Sequence, residues 1–232
     1  IDWLAWRGER SWLGFRSGFN GGNHNNRDLG QFIFGLGETR YLVDPGYGAG
    51  HPSQHNCPTV RNKDQADGAT AKITELRELR GGFRLTCDIQ EAFPHVLKHY
   101  DRHLAVVDDQ HLVIVDDICG RGTIRNDMEA HLQTRLPARV TDEGFAIDGE
   151  AGTLRVVFCS DIGGKRVEPW THGRSEFNGL AWHDEYYRIH SIQTIVLTTS
   201  DALVEQKIED GVVKVRIGES SIEIPLRDGG GS

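Results

Sequence analysis

The stretch that decides the fold reads Leu104-Ala-Val-Val107-Asp-Asp-Gln-His-Leu112-Val-Ile-Val115. Two apolar runs of four residues flank a polar segment, which is the pattern of a β-hairpin. We interpret 104–107 and 112–115 as two half-buried strands of an antiparallel sheet.

Alternation of apolar and polar residues continues on both sides of this hairpin. It occurs at 71–79, 83–89, 212–217 and 221–226. Such alternation places one face of a strand on a core and the other in water. The ranges 144–148 and 153–158 predict a second hairpin, and the β-branched stretch 191–199 predicts a central strand. No window of eleven or more residues has a convincing helical period.

About fourteen to eighteen strands joined by hairpin turns predict an all-β fold. We expect a large antiparallel stacked-sheet sandwich, of the β-supersandwich kind, as a single domain at 1–228. The glycine-rich end at 229–232 is expected to be a flexible tail or linker. The range 126–135 fits either a short helix or a strand. The range 163–185 is the least regular, and we expect a long surface excursion there.

Composition excludes several classes of protein. The 232 residues are 38% apolar and 26% charged, which argues against disorder, and runs of four apolar residues are too short to cross a membrane. The net charge of −8 argues against nucleic-acid binding. Four cysteines without CxxC spacing predict neither a disulfide framework nor a thiolate zinc site, and Cys87 and Cys159 are expected to act as small apolar residues. A start at Ile1 and the glycine-rich end suggest a piece of a longer protein.

The stretch 15–30 differs in composition from the ranges that are predicted to form strands. It reads Phe-Arg-Ser-Gly-Phe-Asn-Gly-Gly-Asn-His-Asn-Asn-Arg-Asp-Leu-Gly, too polar and too rich in glycine for a buried strand. We expect a loop at a sheet edge in which His24 is a general base, a hydrogen-bond donor to an anion, a metal ligand or a histidine that caps nearby backbone. Asp44 and His55 form a candidate metal pair together with a residue near position 26.

The order of residues is recognisable in three blocks: Asn23-His24-Asn25-Asn26-Arg27-Asp28-Leu29-Gly30-Gln31-Phe32, Leu42-Val43-Asp44-Pro45-Gly46-Tyr47, and His55-Asn56. With Phe93-Pro94-His95-Val96, Tyr100-Asp101-Arg102 and Val115-Asp116-Asp117-Ile118, they resemble the C-terminal β-sheet domain of the heparinase II/III-like polysaccharide lyases. The resemblance covers roughly 12–120, and the remainder matches only in being rich in strands.

The resemblance implies an N-terminal α/α toroid, a C-terminal stack of antiparallel sheets and an active site in the cleft between them. Family members cleave uronic-acid polysaccharides by β-elimination, with a Tyr and an Asn from the toroid and a histidine from the sheet domain, whose place His24 takes here. The implied partners are an acidic polysaccharide or oligosaccharide and a toroid of the same polypeptide, with no nucleic acid and no membrane. The implied location is periplasmic or secreted.

Many relatives also hold a zinc ion in the sheet domain, which makes structural zinc a candidate cofactor. Asp44 and His55 match two of its ligands, and the third position falls on Asn26, whose amide is a poorer zinc ligand than imidazole. Asn23, Arg16 and Arg27 flank His24 as candidate substrate contacts, although surface solubility explains the arginines equally well. The tryptophans at 170 and 182 either bind sugar rings or plug the sandwich.

Three functions compete. The first is the sheet domain of a polysaccharide lyase, which alone would be half an active site because no segment of this chain supplies a toroid. The second is a non-catalytic carbohydrate-binding or structural β-sandwich, favoured by Asn26 and the missing toroid. The third is a metal-dependent hydrolase that uses Asp44 and His55 with another histidine.

Overall fold

The computed structural model describes residues 3–61, 63–121, 126–159, 164–186 and 190–227. This part of the chain contains twenty strands and no α-helix, with 3₁₀ turns at Pro52–Gln54 and Gln90–Ala92. All strand pairs are antiparallel, and several sheets pack on one another. The predicted all-β class with stacked antiparallel sheets is confirmed. The described ranges contain no helix that is long and apolar enough to cross a membrane. The proposed tail at 229–232 lies outside the described residues.

The strands, in chain order, are β1 (Trp3–Arg7), β2 (Ser11–Arg16), β3 (Gly18–Phe19), β4 (Phe32–Leu36), β5 (Thr39–Leu42), β6 (Thr59–Val60), β7 (Thr70–Leu79), β8 (Gly82–Asp88), β9 (Leu97–Val107), β10 (His111–Gly120), β11 (Asn126–Thr134), β12 (Ala138–Val140), β13 (Gly144–Gly149), β14 (Gly152–Phe158), β15 (Lys165–His172), β16 (Ser175–Tyr186), β17 (His190–Thr198), β18 (Val204–Glu209), β19 (Val212–Ile217) and β20 (Ser220–Pro225).

Four sheets result from the pairing of these strands. A nine-stranded sheet has the order β12-β13-β14-β17-β10-β9-β8-β7-β3. The other sheets have the orders β1-β2-β4-β5, β15-β16-β11-β6 and β18-β19-β20. The stretch 191–199 was predicted to be a central strand, and β17 does lie inside the large sheet, between β14 and β10.

The predicted hairpin is β9 and β10, but its strands are buried on both faces rather than half-buried. Leu104 and Ile114, which are partners in the ladder, belong to the main core. Ala105 and Val113 point the opposite way, into a second core with Val213 of the C-terminal three-stranded sheet. Continuous apolar runs rather than alternation are the mark of a strand covered on both sides. The half-burial prediction was therefore wrong because another sheet covers the face assigned to water.

The prediction of an irregular excursion at 163–185 was also wrong, because most of it is the regular hairpin of β15 and β16. Its sequence looks irregular because β15 is an edge strand, where Pro169 costs no ladder bond to a further strand. Trp182 is fully buried and stacks on Phe158, with ring centroids 4.4 Å apart. The range 126–135, left open between helix and strand, forms β11, which pairs with β16 along its length.

The cysteines at 57, 87, 119 and 159, which all lie in the described ranges, are not joined in disulfides. Cys87 lies in the main core, and Cys159 packs against the second core, as expected for small apolar residues. Burial raises the pKa of the Cys57 thiol to about 12 and that of Cys159 to about 11. At neutral pH both are protonated and poor nucleophiles.

Buried histidines make the stability of this fold sensitive to acid. Burial lowers the pKa of His103 and of His131 to about 4. In the unfolded chain each ring binds a proton near pH 6.5, whereas in the folded chain it does so only near pH 4. We therefore expect the free energy of unfolding to fall as pH drops from 6.5 to 4, by up to about 3 kcal/mol for each residue. Urea denaturation across this range measures the slope.

Two variants separate this effect from general acid unfolding. His103→Gln keeps an amide able to bond Thr86, the present partner of the ring, and should flatten the decline. His190→Gln is the contrasting variant. The hydrogen bond to Asp117 raises the pKa of His190, so the stabilisation it gives is present below pH 6.5 and is lost only as pH rises through that raised pKa. This variant should therefore be less stable by a nearly constant amount between pH 6.5 and 4, with almost the wild-type slope. Equal slopes in wild type and His103→Gln would contradict the assignment.

Candidate functional site

A buried ion pair lies at the centre of the nine-stranded sheet. Arg102 and Asp116 are ladder partners on β9 and β10 and are almost fully buried. The guanidinium donates from Nε to Oδ1 at 2.7 Å and from Nη2 to Oδ2 at 2.9 Å. The Tyr100 hydroxyl donates to the same carboxylate at 2.9 Å. Burial alone would lower the pKa of Arg102, but the attraction of Asp116 outweighs it and the pKa lies above its ordinary value.

The third nitrogen of this guanidinium connects the sheet to two loops. Arg102 Nη1 donates to the carbonyl of Gly30 at 2.9 Å and to that of Asn56 at 3.3 Å. Asn56 in turn donates its amide to the carbonyls of Phe32 and Val43, at 2.7 and 3.0 Å. The loop before β4 and the loop after β5 are thus fixed to the core and to each other.

The loop between β3 and β4 is the polar stretch singled out in the sequence. Its base closes through backbone bonds between Arg16 and both Gly30 and Gln31, at 2.9 and 2.8 Å. The buried Gln65 side chain accepts from the Leu29 N–H and donates to the Leu29 carbonyl, both at 2.9 Å. An amide side chain thereby replaces a strand partner, so the base of the loop is rigid while its tip reaches solvent.

His24 lies at the exposed tip of this loop, in the left-handed region at φ 64°. Non-glycine residues are uncommon there and cluster at functional sites. Its Nδ1 shares a 2.8 Å hydrogen bond with the Tyr47 hydroxyl from the loop after β5, and the Tyr47 carbonyl accepts from His172 at 2.8 Å. Nε2 is therefore the ring nitrogen left to meet a ligand. Sequence reasoning gave Tyr47 no role, although it closes the recognised Asp-Pro-Gly-Tyr block.

The candidate substrate contacts have different surroundings. Asn23 is exposed beside His24. Arg16 is buried and forms an ion pair with Asp28. Arg27 donates to both oxygens of Asp67, at 2.8 and 2.9 Å, and to Asp64 at 3.0 Å. The charges of both arginines are already balanced by carboxylates, so Asn23 is the one of the three that faces solvent without such a partner in the described ranges.

Asp28, Asp44 and His55 come together beneath the loop, with one ligand atom from each within 4.8 Å of the others. His55 Nδ1 lies 2.7 Å from Asp44 Oδ2, and its Nε2 donates to the Ala49 carbonyl at 2.9 Å. Burial alone would raise the pKa of Asp44, but bonds from His55, Gln31 and the Gly46 N–H outweigh it and the pKa is lowered. The cluster therefore holds Asp44 ionised.

These groups fit a divalent cation in donor type and spacing. A ligating imidazole commonly donates its other N–H to a carbonyl, as His55 does to Ala49, which turns Nδ1 toward the two carboxylates. Asp28 supplies a stronger anionic ligand than Asn26, the position expected from the sequence; the Asn26 carbonyl accepts from Arg16 at 3.4 Å. Arg16 competes for the same carboxylate, so a metal would have to displace its ion pair with Asp28.

No protein-family model and no curated protein matches the chain, but solved structures do. A chain described as heparinase III, the BT4657 gene product, superposes with a TM-score of 0.76 and 16% identity over 93% of this chain and 39% of that one. A heparan sulfate lyase HepC mutant from Pedobacter heparinus gives 0.75 and 12%, over 94% and 40%. The present chain thus spans about 40% of their length and shares their fold over that part, which confirms the fold that the sequence resemblance implied.

The buried ion pair should govern the stability of the site. We expect Arg102→Met to lower the free energy of unfolding by about 3–5 kcal/mol, because Asp116 would remain buried without its counter-charge. Urea denaturation measures this loss. Arg84→Met is the matched control: Arg84 is buried as well, but its carboxylate partner Glu75 is half-exposed, so about 1 kcal/mol is expected.

A double variant tests the cause. Arg102→Met combined with Asp116→Leu removes both charges and should recover part of the loss. If the double variant is as unstable as the sum of the two single variants, desolvation of an unpaired charge is not the reason.

Proposed function

We propose that this chain is the sheet domain of a polysaccharide lyase that cleaves a uronic-acid-containing polysaccharide by β-elimination. The observation that carries the proposal is the position of His24. It is exposed at the tip of a loop whose base is bonded to the core, and its ring is hydrogen-bonded to Tyr47. The fold shared with heparinase III and heparan sulfate lyase chains supports the same class of chemistry.

The reaction needs one group to take a proton and one to give a proton. Neutralisation of the uronate carboxylate acidifies the adjacent C5–H, a base removes that proton, and the electron pair forms the C4–C5 double bond. The C4–O bond breaks, and an acid protonates the leaving oxygen. His24 serves as one proton-transferring group through Nε2, because Nδ1 is engaged by Tyr47. Tyr47 is a positioning residue that fixes the ring.

The remaining groups come from a partner in this proposal. An N-terminal α/α toroid of the same polypeptide would supply the second proton-transferring group and cover the cleft, so the present chain alone is expected to be inactive. Asn23 forms a hydrogen bond with the substrate beside His24. Arg16 and Arg27 instead hold the shape of the loop through their ion pairs with Asp28 and Asp67. With a polysaccharide substrate, the protein is expected to be periplasmic or secreted.

The same proposal includes a structural divalent cation, with zinc the first choice, held by Asp28, Asp44 and His55. Two carboxylates and one imidazole form a donor set that zinc accepts. Bound there, the metal would supply charge that ties the loop before β4 to the loop after β5. Proton transfer by His24 and its positioning by Tyr47 do not require the metal.

Activity tests the role of His24 in the complete polypeptide that contains the toroid. We expect His24→Ala to lower kcat on a uronate polymer by about 10²–10⁴-fold, the range for a general acid or base. Tyr47→Phe should cost about tenfold, since it removes one orienting hydrogen bond. The ultraviolet absorbance of the unsaturated product reports both. His95→Ala, at an exposed histidine outside this site, is the control, and undiminished activity in His24→Ala would remove the assignment.

Thermal unfolding tests the metal without any need for activity. We expect zinc at 100 times its dissociation constant to stabilise the wild-type chain by about 3 kcal/mol, seen as a rise in Tm. His55→Gln should abolish the rise, while Asp67→Asn, at an exposed carboxylate, should keep it. An unchanged Tm in the wild type would show that Arg16 alone balances Asp28.

A further inference from the structure

A row of side chains crosses the outer face of the four-stranded sheet β1-β2-β4-β5. Its members are ladder partners: Arg7 pairs with Trp12, Trp12 with Gly35, and Gly35 with Arg40. Residues opposite each other in a ladder point to the same face of a sheet. An indole therefore lies on this face with a guanidinium group on either side.

The glycine in this row fixes how the indole lies. A Cβ at Gly35 would come within 2.3 Å of two atoms of the Trp12 ring, so the ring rests on the glycine backbone. The indole Nε1 donates to the Gly37 carbonyl at 3.2 Å. One face and the polar edge of Trp12 are thus engaged, and the residue remains partly exposed to the groove that it lines.

This groove has a volume of about 770 Å³ and is also lined by Arg135, Glu38, Glu150 and Asp44. Arg7 and Arg40 are exposed, and no ion pair joins either of them to a carboxylate of a residue that the structure describes. Arg16 and Arg27, in contrast, are both paired. This surface therefore places two guanidinium groups, each without a carboxylate partner among the described residues, beside a fixed aromatic face.

We propose that the groove binds an anionic sugar unit of an acidic oligosaccharide. The apolar face of a pyranose ring packs on the indole of Trp12, and Arg40 forms a two-point contact with the uronate carboxylate, with Arg7 on the other side of the indole. Glu38 and Glu150 accept from sugar hydroxyls. The proposal takes its substrate class from the proposed function, but it rests on residues other than His24 and requires no catalysis.

Calorimetric titration of the 232-residue chain tests the groove directly. The probes are an alginate tetrasaccharide, which carries one carboxylate on each sugar, and the neutral cellotetraose. We expect saturable binding of the alginate probe that weakens with salt, and much weaker binding of cellotetraose. Arg40→Gln and Trp12→Ala should each raise Kd about tenfold, the equivalent of one lost charged or stacking contact.

Arg77→Gln is the matched control. Arg77 is an exposed arginine on β7 of the nine-stranded sheet, outside the groove, and its loss should leave Kd unchanged. Trp12→Phe, which keeps an aromatic ring, should bind better than Trp12→Ala and replaces it if that variant does not fold. The proposal is overturned if the wild type does not bind the alginate probe, if cellotetraose binds equally well, or if Arg40→Gln and both Trp12 variants bind like the wild type.

His24→Ala separates this proposal from the proposed function. It should bind the probe like the wild type while the complete polypeptide that carries it loses activity. If activity survives in His24→Ala, the catalytic assignment fails and the groove stands. If binding disappears in His24→Ala, the groove is not an independent site.

Discussion

The ion pair between Arg102 and Asp116 is the constraint on which the site depends. Two opposite charges in the middle of a sheet are costly to desolvate, and the pair compensates by bidentate geometry and by the Tyr100 hydroxyl. A leucine pair would fill the same space but would offer nothing to the carbonyls of Gly30 and Asn56. The pair thus gives two irregular loops a fixed place above a regular sheet.

Charge balance continues outward from that pair toward the surface. Asp28 meets Arg16, and Asp44 meets His55. Each carboxylate below the loop therefore has a positively charged or hydrogen-bonding partner. At the exposed tip the pattern changes, and His24 meets the neutral hydroxyl of Tyr47. Charges are thus compensated beneath the loop, while the imidazole at its tip faces solvent beside a hydroxyl.

Sequence reasoning succeeded where the signal was local. Period-two alternation and turn residues predicted the strands, and the apolar pair around Asp108 and Gln110 predicted the β9–β10 hairpin. It failed where the answer depended on a distant segment. Ala105 and Val113 are covered by the sheet β18-β19-β20, which lies about a hundred residues later in the sequence. The hairpin of β15 and β16 is regular because β16 pairs with β11.

The candidate site shows the same division. The composition of 15–30 indicated a binding loop, and His24 does lie exposed at its tip. Tyr47 and Asp28 were missed as partners because their proximity to His24 and to His55 arises from tertiary anchoring of two loops, which no spacing within either loop reveals. The tyrosine had a weak signal in the Asp-Pro-Gly-Tyr block, and the aspartate stood two positions beyond the expected ligand.

The three-stranded sheet β18-β19-β20 covers apolar residues of the large sheet. Val213 and Ile224 belong to a small second core that it forms with the large sheet. The backbone carbonyl of Glu223 accepts a hydrogen bond from Arg84 at 2.9 Å. A chain that ended before β18 would expose Ala105, Val113 and their neighbours to water as a contiguous apolar surface. We therefore expect a chain cut before β18 to self-associate through this exposed strip.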